Sequence, residues 1–182
     1  MFIQTEFTPN PASLKFLPGV AVMTMGTANF RAPEESSRSP LASRLFAIDG
    51  VEGVFLGSDF ITVTKTSSQE WDVMKPQILA AIMDHFTSGA EVTEGDEPLS
   101  GGDGEGDALT AQIKDLIETR VRPAVAQDGG DIIFRGFEDG VVYLHMQGSC
   151  SGCPSSTATL KHGIENMLRY YVPEVVEVRP VE

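Results

Sequence analysis

The chain has 182 residues, 41% of them hydrophobic, and a net charge of −13, which fits one medium domain or two small ones. That acidity argues against nucleic acid as a main partner, because phosphate recognition needs a cationic surface, and against anionic membranes. The charge is uneven: residues 1–89 carry nine acids and six bases, 90–107 seven acids and no base, and 108–182 ten acids and seven bases.

The start, Met1-Phe2-Ile3-Gln4-Thr5-Glu6, lacks a basic region and an apolar core, and no arginine precedes Arg31. Neither a secretory signal nor a transit peptide is therefore expected, and no stretch approaches the length of a membrane span. The expected location is cytoplasmic, of bacterial type, where thiols stay reduced.

The first segment begins with a strand-like run, Phe2–Phe7, a turn at Thr8-Pro9-Asn10-Pro11 and a second run, Ser13–Leu17, that stops at Pro18-Gly19. Leu41, Leu45 and Ile48 follow Ser39-Pro40 at helical spacing, with serine as N-cap and proline at N1. Val51–Leu56 and Phe60–Lys65 flank Gly57-Ser58-Asp59 and predict a hairpin. Trp71, Met74, Ile78, Ile82 and Phe86 mark an amphipathic helix that Pro76 kinks or starts late. The expected order is two strands, helix, hairpin, helix.

Ala90–Asp107 (AEVTEGDEPLSGGDGEGD) is acidic, glycine-rich and nearly free of large apolar side chains. Such a stretch buries too little surface to offset its ordering entropy and predicts a flexible, self-repelling linker. The expected organisation is thus a domain at 1–89, a linker at 90–107 and a domain at 108–182.

In the second domain Leu109, Ile113, Leu116, Ile117 and Val121 predict a helix over about 108–122, ended or kinked by Pro123. Asp128-Gly129-Gly130-Asp131 reads as a turn that lets this helix pack on the strands that follow; it lacks the ligand number of a calcium loop. Ile132–Phe137 and Val141–Met146 meet at Asp139-Gly140, a tight-hairpin signal. Leu160, Ile164, Met167, Leu168 and Tyr171 mark a helix after Pro154, and Val175–Val178 a closing strand. Both segments are α+β, and the fold class expected is two small α/β sandwiches joined by the acidic linker.

The only two cysteines, Cys150 and Cys153, lie between the second hairpin strand and the last helix, in Gly148-Ser149-Cys150-Ser151-Gly152-Cys153-Pro154. Gly148 and Gly152 free the backbone to fold closely. Pro154 suits N1, so the Ser155 and Ser156 amides would face the sulfurs, and the positive helix end would favour thiolates. Two thiolates are half of a tetrahedral site, so a cysteine-only metal site must be shared between two chains.

Four readings of the pair compete. An iron–sulfur cluster could take four thiolates from a two-fold dimer, and structural zinc could use the same four. A dithiol redox pair is the third, although the familiar thioredoxin form places proline between the cysteines. Two buried, inert cysteines are the fourth. Spacing alone does not separate iron from zinc. His85, His145 and His162 show no paired ligand spacing and read as surface or packing residues, with His162 a candidate neighbour of the cysteine loop. Lys161 reads as a solvated helix lysine. No Ser/His/Asp order, Walker loop or dinucleotide fingerprint occurs.

The run Gln147–Ser156, continued by Thr159-Leu160-Lys161-His162-Gly163-Ile164-Glu165, resembles the C-terminal domain of NifU-like (Nfu-type) proteins. Val121-Arg122-Pro123 and Asp128-Gly129-Gly130-Asp131 resemble it too, while Thr8-Pro9-Asn10-Pro11, Leu14-Lys15-Phe16 and Pro18-Gly19 look like the N-terminal Nfu domain. The longer nitrogen-fixation form has a further scaffold domain and more cysteines, which this sequence does not match. The resemblance implies a non-enzymatic iron–sulfur scaffold or carrier, with Cys150 and Cys153 at the ligand positions. It further implies a cluster, usually [4Fe–4S] and less often [2Fe–2S], bridged in a homodimer that forms on loading. An upstream assembly scaffold would donate the cluster and apo iron–sulfur proteins would receive it. The N-terminal domain would recruit recipients or modulate delivery.

Overall fold

A computed structural model of the chain describes residues 2–24, 26–94, 108–149 and 154–181, with side chains from 158 onward in the last segment. The chain divides into two compact units, Met1–Leu99 and Ser100–Glu182. Each is α+β, as expected.

The first unit is built on a five-stranded antiparallel sheet. Its strands are β1 (Gln4–Phe7), β2 (Ser13–Leu17), β3 (Ala28–Phe30), β4 (Val51–Leu56) and β5 (Ile61–Lys65), in spatial order β1-β2-β5-β4-β3. Alternation puts Leu14, Phe16, Val54, Leu56, Ile61 and Val63 into a core closed by helices α1 (Pro40–Phe46) and α2 (Trp71–Ser88) through Leu41, Leu45, Met74, Ile78 and Ile82. Ser39 caps α1 by accepting the Ala42 amide at 3.1 Å. Pro76 sits on the exposed side of α2 without ending it. Gly89, left-handed at φ 70°, closes the helix.

Two features depart from the sequence expectation. β3 and a 3-10 turn at Pro33–Arg38 occupy a stretch to which no element is assigned from sequence. β3 has only three residues, too few for a period to register; pairing with β4 and burial of Ala28 and Phe30 hold it in place. The beginning of the predicted linker is also held on the first unit. Ser39 donates its hydroxyl to the Val92 carbonyl at 2.5 Å, the Glu94 amide donates to the Arg38 carbonyl at 2.6 Å, and Val92 packs on the core. Val92 is the one β-branched apolar residue of that acidic stretch, and it finds apolar surface to cover. The remainder of the predicted linker, 95–107, lies outside the described residues.

The second unit has a three-stranded sheet of β6 (Gly130–Glu138), β7 (Val141–Gly148) and β8 (Glu177–Val181). β7 is central, antiparallel to β6 and parallel to β8. Parallel neighbours need a crossover, and α5 (Pro154–Tyr171) supplies it. Val142, Leu144 and Met146 of β7 join Ile132 and Val178 on one face, covered by Ile164, Leu168 and Val172 and by the first helical segment.

That segment runs further than expected. Helix α3 (Ala108–Leu116) passes through a π turn (Ile117–Val121), where the Arg122 amide bonds the Ile117 carbonyl, into α4 (Arg122–Gln127). Pro123 has no N–H for the Thr119 carbonyl, and the wide turn carries the chain past that gap. Ile113, Ile117, Val121 and Val125, all buried, advance by four residues per turn. A regular helix of about 3.6 residues per turn would let such a stripe drift.

Gly140 turns the β6–β7 hairpin at φ 79°, and a Cβ there would come within 2.7 Å of Val176 Cγ2 and 3.2 Å of the Glu174 carbonyl. Gly140→Ala is expected to destabilise the second unit by more than about 1 kcal/mol. Faster exchange of its β7 amides would show this, and unchanged exchange would refute it.

His85 on α2 is fully buried, and neither ring nitrogen has a hydrogen-bond partner of good geometry among the described residues. Burial, then the charge of Arg44, pushes its pKa below the ordinary histidine value, with the Ala90 backbone opposing in smaller measure. The unfolded chain therefore protonates first, and the first unit should lose stability as pH falls below about 6.5. Trp71, the only tryptophan, reports on this unit alone. Urea unfolding followed by its fluorescence should show a flatter pH dependence in His85→Gln than in the parent; identical slopes would exclude this origin.

Candidate functional site

The site predicted from sequence lies on the path from β7 to α5. Cys150 and Cys153 themselves lie outside the described residues, so the structure defines the frame that holds their loop. β7 ends at Gly148, whose φ of 65° turns the chain away from the sheet, a conformation that favours glycine. On the far side α5 begins at Pro154, directly after Cys153.

The entry to the loop is anchored. Gly148 pairs with Gly130, so the end of β7 lies beside the start of β6. Ser149 is 3% exposed. Its amide donates to the Gly129 carbonyl at 3.3 Å, and its hydroxyl donates to the Asp128 carbonyl in a short hydrogen bond. These acceptors are themselves tied to the last turn of α4: the Asp128 amide donates to Val125 at 3.1 Å and the Gly129 amide to Ala126 at 3.0 Å.

Asp131 completes the frame. Its side chain is 5% exposed and that of Arg122 22%. Arg122 Nε and Nη2 donate to Asp131 Oδ1 and Oδ2 at 2.8 Å each, and the Ile132 amide donates to Oδ1 at 2.8 Å. Arg122 Nη1 reaches Glu118 at 3.0 Å. Hydrogen bonding to Asp131 raises the Arg122 pKa further above its already high value, against the effect of burial. The Asp-Gly-Gly-Asp segment is thus a structural turn with one carboxylate engaged by arginine. Among the described residues no group of three or more His, Cys, Asp or Glu could hold a metal ion.

The other polar residues singled out from sequence are placed as follows. His162 is exposed on α5. Lys161 pairs with Glu177 at 3.6 Å. His145 is 8% exposed, with Nδ1 3.1 Å from the Val181 carbonyl. Sequence reasoning missed Ser149 and the Arg122–Asp131 contact. Ser149 stands directly before Cys150 in the motif, but nothing in its spacing marks a side chain reaching back across 21 positions to Asp128.

Two family models match the chain. "Scaffold protein Nfu/NifU N terminal" covers residues 3–89 and "NifU-like domain" covers 113–179. The "NFU1 iron-sulfur cluster scaffold homolog, mitochondrial" of Homo sapiens is 54% identical over the whole of this chain, which spans 72% of that protein. The protein of the same name from Drosophila sechellia is 52% identical, again over the whole chain, which spans 65% of it. A solution structure of a NifU-like protein from Saccharomyces cerevisiae is 28% identical, covers 53% of this chain and 87% of its own, and aligns with a TM-score of 0.47.

Replacing Arg122 by alanine would leave the buried Asp131 carboxylate without the guanidinium that neutralises it. The expected cost is about 3–5 kcal/mol, read as faster amide exchange throughout β6 and β7. A cost within about 0.5 kcal/mol, typical of surface changes, would refute the structural weight given to this pair.

Proposed function

Because the chain belongs to the Nfu/NifU family, we propose that it is an iron–sulfur cluster scaffold and carrier, a non-enzymatic protein that holds a cluster and passes it to apo-proteins. One observation carries this reading: the NifU-like match at 113–179 encloses both of the cysteines that the chain possesses.

The proposed ligands are Cys150 and Cys153. Two thiolates per chain require two chains for a four-cysteine cluster, so the loaded form is a homodimer with one cluster, of [4Fe–4S] type, at its two-fold seam. An upstream assembly scaffold donates the cluster. In transfer, thiolates of an apo iron–sulfur protein displace Cys150 and Cys153 one at a time. Each step exchanges one thiolate for another, with no net change in electrons. The first unit, which contains the N-terminal match at 3–89, recruits the recipient.

No described helix is long and apolar enough to cross a membrane. The relatives are named mitochondrial, which does not fit the bacterial-type cytoplasm expected from the sequence. The requirement that carries over is a compartment in which thiols stay reduced.

Anaerobic incubation with ferrous iron and sulfide should load about four irons and four sulfides per dimer and move the protein to the elution position of a dimer. Cys150→Ala and Cys153→Ala should each abolish loading; parental loading by both would overturn the ligand assignment. About two irons and two sulfides per dimer would mean a [2Fe–2S] cargo instead, and zinc retained after anaerobic purification would favour a structural metal.

A further inference from the structure

We infer that Ser149, Asp131 and Arg122 are positioning residues for the first of the two thiolates. This rests on the carrier reading, in which Cys150 is a cluster ligand. Cys150 follows Ser149 directly in the chain. Ser149 is held twice, by its amide on Gly129 and its hydroxyl on Asp128. Those carbonyls belong to the turn that closes α4 and opens β6. The Arg122 fork on Asp131 locks helix and strand together at that turn. The ion pair therefore acts at a distance, through Asp128 and Gly129, on Ser149, the residue to which Cys150 is bonded.

The chemistry suits each residue. A serine hydroxyl donates to a carbonyl while its small side chain remains buried. Arginine alone presents a planar pair of donors to both oxygens of one carboxylate, and lysine does not reproduce it. A two-fold dimer uses the clasp twice. If losing one hydrogen bond weakens each half-site roughly five- to tenfold, loss through one half-site at a time quickens by about the same factor.

The test compares the parent with Ser149→Ala, Ser149→Thr and Arg122→Lys. Three quantities are read: iron and sulfide loaded, the rate of iron loss to a ferrous chelator, and amide exchange in the apo-protein. Ser149→Ala is expected to load a cluster and lose it about five- to tenfold faster, with faster exchange at Gly148 and Ser149 and unchanged exchange at Leu144 and Leu168. Ser149→Thr, which keeps the hydroxyl, should restore slow loss, and Arg122→Lys should not. Normal loading with parental rates of loss in both Ser149→Ala and Arg122→Lys would overturn this inference and leave the carrier reading intact. Failure of the parent itself to take up iron and sulfide would overturn both.

Discussion

The second unit turns on the ion pair between Arg122 and Asp131. It is the place where a helix, a hairpin and the cysteine loop meet. Asp131 is nearly inaccessible and accepts three hydrogen bonds, two from the guanidinium and one from the Ile132 amide. A buried carboxylate is tolerable only when so satisfied. The exposed pairs of this unit carry far less: Lys161–Glu177 and Arg169–Glu165 span 3.6 and 3.9 Å with partly solvated partners, and solvent screens them. Domains of this size have total stabilities of about 5–15 kcal/mol, with small ones toward the low end. One contact whose loss costs several kcal/mol therefore decides whether the frame around the cysteines persists.

The π turn belongs to the same design. Pro123 stands next to Arg122 and removes one helical hydrogen bond. The widened turn absorbs that loss while keeping Val121 and Val125 in the core and directing Arg122 toward β6. A regular helix through Ile117–Val121 would rotate the following face, and the arginine would leave the carboxylate.

Legibility in the sequence followed the range of the interaction. The Asp139-Gly140 hairpin, the α1 cap at Ser39-Pro40 and the stripe of α5 are set by neighbours within a few positions, and all three were readable. The cysteine pair is a local signal of the same kind, two of two cysteines three positions apart, and it lies outside the described residues. β3 was not readable, since it exists only through pairing with β4. The docking of Val92 was hidden by the acidic composition around it, which describes an average and not the one side chain that finds the core. The clasp on Ser149 links positions 21 apart, and no periodicity encodes such a contact. Asp128-Gly129-Gly130-Asp131 announced a turn but not which carboxylate would be buried or by what it would be held.

The frame bears on how the proposed carrier releases its cargo. Lability can come from a loosely held ligand loop or from too few ligands per chain. The entry to this loop is tied by two hydrogen bonds to a turn that is itself tied to a helix end, which is the opposite of a loose attachment. In a carrier of this kind, lability follows from the count: each chain supplies two thiolates, so the full ligand set exists only while two chains are together. Retention then depends on protein concentration, as for any ligand stabilised by assembly. An incoming apo-protein need not distort the frame; it competes for one half of the coordination at a time. A loop entry held in this way also keeps its geometry after release, and the entropy of that ordering is already met by the folding of the domain.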